Sequence, residues 1–300
     1  MTAPGSANWI QQAERSNRAV LRLMVVLSLA FGRRLCRLLL HPIAAYFVLF
    51  SPKARAASRL YLSRALGRKP GLADIYRHFL AFASITHDRL YLLNGRFDDF
   101  QIETEGVDVV DALAAQGQGL LLIGAHLGSF EVMRVLGRQR AGFNVSMLMY
   151  EQNARKINEV LAAINPAAVQ DIVPLGQMDS MMIAQSRIEQ GHLVGMLADR
   201  GLGGDAVREI EFLGAPAPFP LGPWRMAVML RRPVFLMLGL YLGGNRYKVV
   251  FEPIADFTHV ERATRQAAMN AAQERYAERL AYHCRQTPYN WFNFFDFWQR

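Results

Sequence analysis

His126 and Glu131, in the stretch "IGAHLGSFE" (123–131), are the residues whose types and spacing offer chemistry. A histidine exchanges protons near neutral pH. A carboxylate that reaches its ring fixes the tautomer and stabilises an imidazolium. Of the seven histidines, only His126 has an acidic residue five positions later. The same stretch allows a second reading. Gly128 could cap a helix whose first turn favours Glu131 for capping alone, leaving His126 a hydrogen-bonded residue at a sheet edge. No protein nucleophile competes: there is no GxSxG elbow, and neither Cys36 nor Cys284 sits in a reactive motif. A His/Glu pair without a nucleophile points to general-base activation of a substrate hydroxyl.

These residues need a scaffold. Short apolar runs at 119–125, 143–149, 193–198 and 233–242 alternate with helical or turn stretches at 107–117, 129–139, 152–164, 178–190 and 220–231. That alternation predicts an α/β fold with a mostly parallel mixed sheet flanked by helices. Residues 245–252, after Gly243-Gly244, read as a neighbouring strand joined by a hairpin, and 259–285 as a long exposed helix. His126 falls just past the carboxyl end of a strand, where open α/β sheets bind ligands.

The first third differs. Residues 1–100 hold 15 Lys/Arg against 5 Asp/Glu, so the whole net charge of +9 arises there. Residues 9–92 read as helical, with "SPKARAASRLYLSRALGRKPG" (51–71) and "LADIYRHFLAFASITHDRLYLL" (72–93) as two helices. In 21–50, Arg22, Arg33, Arg34 and Arg37 interrupt an apolar sequence. No uncharged run there reaches the roughly 20 residues of a spanning helix. One or two interfacial helices with Arg facing anionic headgroups are expected, with a buried helical hairpin whose charges point outward as the alternative. The chain thus divides into a helical, basic, membrane-interface region, 1–100, and an α/β domain, 101–300. No nucleic-acid-binding signature accompanies the basic residues, so nucleic acid is not an expected partner. Two cysteines without metal-ligand spacing argue against a disulfide framework or a metal site. No phosphate-binding glycine motif calls for a nucleotide cofactor.

Four blocks in order carry a family resemblance: "GLLLIGAHLGSFEVMR", "MLMYEQNARKINEVL" (147–161), "GHLVGMLADRG" (191–201) and "FLGAPAPFPLGPWRMA" (212–227). The chain resembles the lysophospholipid acyltransferase superfamily. Within it, the chain is similar to the late acyltransferases of bacterial lipid A biosynthesis and to predicted acyltransferases of aryl polyene clusters. The resemblance implies a glycerolipid acyltransferase-like fold and acyl transfer to a lipid or glycolipid hydroxyl. It implies His126 as general base and Glu131 as its orienting partner. It requires no cofactor beyond the co-substrate, acyl carrier protein or acyl-CoA. An anionic membrane surface and an acidic carrier protein are the partners it suggests, on the cytoplasmic face of a bacterial inner membrane, peripheral or monotopic. A lysophospholipid or aminoacyl-lipid O-acyltransferase, or a non-catalytic lipid-binding or assembly protein on the same fold, are the alternatives. Two stretches depart from the lipid A enzymes: 163–180 holds no Arg, and the ending is unusually aromatic.

Further candidates for substrate binding are Gly128 and Ser129 in the turn, Asn153 and Arg155 at a helix start, and Asp199 and Arg200 at the end of strand 193–198. Asp199 and Arg200 share an edge with His126, for acceptor or headgroup binding or as a salt-bridged turn. Asn153 also suits an N-cap. Residues 215–223 read as a structural loop. The tail "YNWFNFFDFW" (289–298) reads as core packing, with an interfacial surface or acyl-pocket wall as the alternative.

Overall fold

The computed structural model describes residues 18–139, 144–150, 172–175, 179–201 and 205–299. Strands β1 (Gln101–Glu105), β2 (Leu120–Gly124), β3 (Val145–Tyr150), β4 (Ile172–Leu175), β5 (Leu193–Leu197), β8 (Pro233–Gly243) and β9 (Arg246–Asp256) form one sheet. Its order is β1-β9-β8-β2-β5-β3-β4. Within this sheet, among the described residues, only β8 and β9 pair antiparallel; their turn holds the expected Gly243 and Gly244, both at positive φ. The fold is α/β, with the mostly parallel mixed sheet flanked by helices.

β2 is the central strand and is buried at every position. Its apolar residues alternate between two cores, as a period of two requires. Leu121 and Ile123 face one core, Leu120 and Leu122 the other. The helices on these faces are α4 (Val107–Ala115), α5 (Phe130–Gln139), α6 (Ser180–Glu189), α7 (Gly222–Leu230) and α8 (Arg265–Gln286). The expected helix at 152–164 lies outside the described residues.

The segment expected as a loop forms a hairpin instead. β6 (Val207–Phe212) pairs antiparallel with β7 (Ala215–Pro220). Pro216, Pro218 and Pro220 alternate along β7, so Ala215, Ala217 and Phe219 keep their N–H groups on the other side of the strand. Prolines restricted to one side of an edge strand leave its ladder intact, and this hides the strand from a composition-based reading.

Among the described residues, α1 (Arg18–Phe50), α2 (Pro52–Leu66) and α3 (Leu72–Leu93) precede the sheet. α1 breaks at Gly32, whose φ of 78° is not helical. These helices pack onto the α/β body: Ala44, Val48, Tyr61 and Leu62 share a core with Ile123 and Trp291. Two of the arginines expected to face headgroups turn inward. Arg33 makes a two-pronged contact with the fully buried Asp88 of α3, 2.8 Å on each side. Arg37 donates to the Gly244 carbonyl at 2.7 Å, and Tyr247 donates to Asp88 at 2.7 Å. Arg34 remains exposed. Among the described residues no single helix is long and apolar enough to cross a membrane; Ala30–Phe50 and Pro52–Leu66 pass that test only as a pair bent by 96°.

Candidate active site

The site forms where β2 and β5 end together. The two strands are parallel and in register, with Gly124 opposite Leu197. Two residues further along each chain stand His126 and Asp199. Identical offset and identical side-chain parity bring their side chains together. The Gly124 carbonyl seals the junction, accepting from the Ala198 N–H at 3.0 Å and the Tyr276 hydroxyl at 2.9 Å.

The imidazole Nδ1 of His126 lies 2.8 Å from Asp199 Oδ1. The backbone N–H of His126 donates to Oδ2 of the same carboxylate at 3.0 Å. A carboxylate at Nδ1 selects the tautomer with its proton there, leaving Nε2 as the basic nitrogen. Nε2 makes no hydrogen bond among the described residues, and the ring keeps 31% of its surface exposed. Asp199 itself is fully buried. Burial pushes its carboxyl up, but the His126 contacts and the Arg200 charge outweigh this and hold it well below the usual carboxylate range. For His126 burial is the largest influence and lowers its proton affinity; Arg200 adds to that, and Asp199 opposes it. The site is thus a neutral imidazole on a buried anion.

Glu131 is placed differently from its expected role. The position at Nδ1 belongs to Asp199. Glu131 lies in the first turn of α5, buried, with Oε1 3.4 Å from Nε of Arg89 on α3. There it joins two helices, and its charge suits a helix N-terminus. Asp199 and Arg200 likewise differ from open ligand contacts. Arg200 donates to the Phe292 carbonyl at 2.8 Å and to the Asn293 side-chain oxygen. Burial lowers its pKa to about 10, with Asp199 opposing. Asn153 and Arg155 lie outside the described residues.

The turn 127–129 is held from both sides. Gly128 N–H donates to the Asn290 carbonyl at 2.9 Å, and Ser129 N–H to the Gly239 carbonyl at 2.7 Å. Both backbone donors of the expected substrate-binding pair are therefore engaged within the protein. The Ser129 hydroxyl is buried and has no hydrogen-bond partner among the described residues.

The aromatic tail supplies residues that sequence reading missed. Trp291 is fully buried and donates its indole N–H to Asp199 Oδ2 at 3.1 Å. Asn293 donates to the same oxygen at 3.1 Å. The Phe292 N–H donates to the His126 carbonyl at 2.8 Å. The tail is thus core-packed, and its polar atoms meet the site. Among the described residues no group of three or more His, Cys, Asp or Glu side chains is placed to hold a metal ion.

The family model for bacterial lipid A biosynthesis acyltransferases matches residues 19–300. The chain belongs to this family. It is also similar to a phosphatidylinositol mannoside acyltransferase of Mycobacterium tuberculosis (strain ATCC 25618 / H37Rv), 24% identical over 188 residues. That match covers 62% of this chain and 56% of the relative, so the chain spans little more than half the length of that protein. As a family member, the chain carries His126 and Asp199 within the matched region, as it does Trp291 and Asn293.

Proposed function

We propose that this protein transfers an acyl group from a thioester donor to a hydroxyl of a lipid or glycolipid, with Nε2 of His126 as general base and Asp199 as its partner. The observation that carries this reading is the contact of His126 Nδ1 with the buried Asp199, which leaves Nε2 free at the edge of the sheet. Nε2 takes the proton of the acceptor hydroxyl while its oxygen attacks the thioester carbonyl. The tetrahedral intermediate expels the donor sulfur, which receives the proton back from the imidazolium. Asp199 stabilises the transient positive charge. No residue is acylated in this sequence, in keeping with both cysteines being buried. The donor is acyl carrier protein or acyl-CoA. The name of the mycobacterial relative favours a glycolipid acceptor.

The site works at a bacterial inner membrane, on its cytoplasmic face. Support comes from α1. From Gly32 onward it buries the narrow stripe Cys36, Leu40, Ala44 and Val48 and leaves Leu35, Leu38, Leu39, Tyr46, Leu49 and Phe50 exposed. A contiguous exposed apolar face of this kind, with Arg34 and Lys53 beside it, suits an anionic lipid surface.

The test is release of thiol from acyl thioesters in the presence of membrane lipid extract, with mass spectrometry of the acylated product. His126→Ala is expected to abolish transfer. A variant that transfers at the wild-type rate would remove the base from the mechanism.

A further inference from the structure

Asp199 reaches the His126 imidazole through only one of its oxygens. The other, Oδ2, receives three N–H groups: the His126 backbone, the Trp291 indole and the Asn293 amide. A carboxylate has about four lone-pair positions, so these contacts and the imidazole satisfy it. Two of the donors belong to the C-terminal strap, 290–293. The strap is itself fastened at several points. Arg200 grips the Phe292 carbonyl and the Asn293 side-chain oxygen. Asn290 exchanges hydrogen bonds with the backbone of Tyr241 in β8, 2.7 and 3.1 Å. From the opposite side, His78 of α3 donates Nε2–H to the Trp291 carbonyl at 2.9 Å and accepts at Nδ1 from Ser58 of α2, also 2.9 Å.

We propose that Trp291 and Asn293 are positioning residues that hold the Asp199 carboxylate in the orientation serving His126, with Ser58 and His78 anchoring them to the N-terminal helices. This rests on the reading of His126 as the base. The physical argument concerns a buried anion. Removing one donor from Oδ2 leaves the carboxylate less stabilised and freer to turn. A less stabilised carboxylate draws the imidazole proton more strongly, so His126 becomes easier to protonate. Other groups near this centre do not substitute. Tyr276 and Cys284 of α8 are held protonated by burial, which leaves Arg200 as the charge beside Asp199 and His126. Glu131 of α5 stands with Arg89.

The experiment uses the full chain with histidines labelled for NMR, the His126 signal being assigned by its loss in His126→Gln. Asn293→Ala is expected to move the His126 titration midpoint upward. It should also lower kcat/KM for thiol release by about 10- to 100-fold, the worth of one hydrogen bond to a charged group. Asn293→Ser, which keeps an O–H donor, should recover part of both effects. Trp291→Phe is read the same way, and circular dichroism selects the variants that are folded. Loss of activity with an unmoved His126 midpoint in the folded variants would overturn the positioning role. So would an unmoved midpoint with full activity. If the wild type releases no thiol from any acyl thioester, the acyl-transfer reading fails, while the midpoint alone still decides the positioning role.

Discussion

Gly128 and Gly239 meet backbone to backbone beside His126. A Cβ on Gly128 would lie 2.0 Å from the Gly239 carbonyl oxygen, and one on Gly239 would lie 2.2 Å from the Ser129 carbonyl oxygen. Gly128 also has φ +81°, a conformation that L side chains rarely adopt. The contact joins the His126 turn to β8, with Gly128 and Gly239 forming a parallel bridge. Gly128→Ala is therefore expected to destabilise the fold by about 3 kcal/mol and to displace His126. Denaturant unfolding measures the first effect. An unchanged midpoint with full activity would show that the turn yields more easily than this contact implies.

The two acidic residues near His126 should separate cleanly in kinetics. Asp199→Asn replaces the anion at Nδ1 by a neutral group and removes control of the tautomer. A loss in kcat of about 10⁴-fold is expected by analogy with the same change in a serine protease triad. Glu131→Gln leaves that contact in place and weakens the join between α3 and α5 at Arg89. Its effect should be far smaller and should appear mainly in stability. The reverse ranking, measured by thiol release, would return the partner role to Glu131.

The pH profile follows from the charges around the ring. Burial, followed by Arg200, lowers the proton affinity of His126, against Asp199. The base works unprotonated, so depressing its pKa keeps it active in mild acid. The acid limb of kcat/KM should lie below the ordinary histidine value of about 6.5. Arg200→Met should move the limb upward by removing a positive charge. A limb at or above neutral pH in the wild type would contradict the placement of Arg200.

Acid should destabilise the protein before its carboxylates titrate. His78 and His87 are both buried, and burial lowers the pKa of each to about 4. In the unfolded chain they protonate near 6.5. The folded pKa is depressed, so their stability contribution is complete above about 6.5 and is lost as pH falls toward 4. Each histidine accounts for a loss on the order of 3 kcal/mol. Thermal melting between pH 7.5 and 4.5 should show a falling Tm, and a flat profile would mean that the two rings protonate without unfolding.

The exposed face of α1 predicts membrane binding that can be separated from folding. Leu38 and Phe50 are 65% and 61% exposed. Replacing both by Glu should reduce co-sedimentation with anionic vesicles several-fold while leaving Tm nearly unchanged, because neither side chain supports the core. Wild-type sedimentation by the double variant would assign the lipid contact to another surface.

The main strands were legible because each apolar run has the length and flanks of a buried strand. β2, β5 and the β8–β9 hairpin fall within a residue or a few of their expected bounds. The β6–β7 hairpin was hidden because three prolines look like a loop until one sees that they share a side of β7. The histidine was legible from its turn, but its partner was not. Glu131 is near His126 in the chain. Asp199 is near it only because β5 pairs with β2 in register, and nothing local encodes that pairing. Trp291 and Asn293 were further from view, since they arrive through a strap that belongs to no sheet. Their aromatic neighbours signalled burial, and burial was what the sequence reading expected of the tail.

The distribution of the site along the chain has a consequence for its biosynthesis. His126 is translated first, Asp199 later, and Trp291 and Asn293 later still. β2 likewise waits for β5 and β8, its two neighbours, which both follow it. Domains begin to fold from the N-terminus as they emerge from the ribosome. A nascent chain of this protein therefore exposes the apolar face of α1 well before His126 and Asp199 can meet. The site is completed only once residues 290–293 have emerged and reached Asp199.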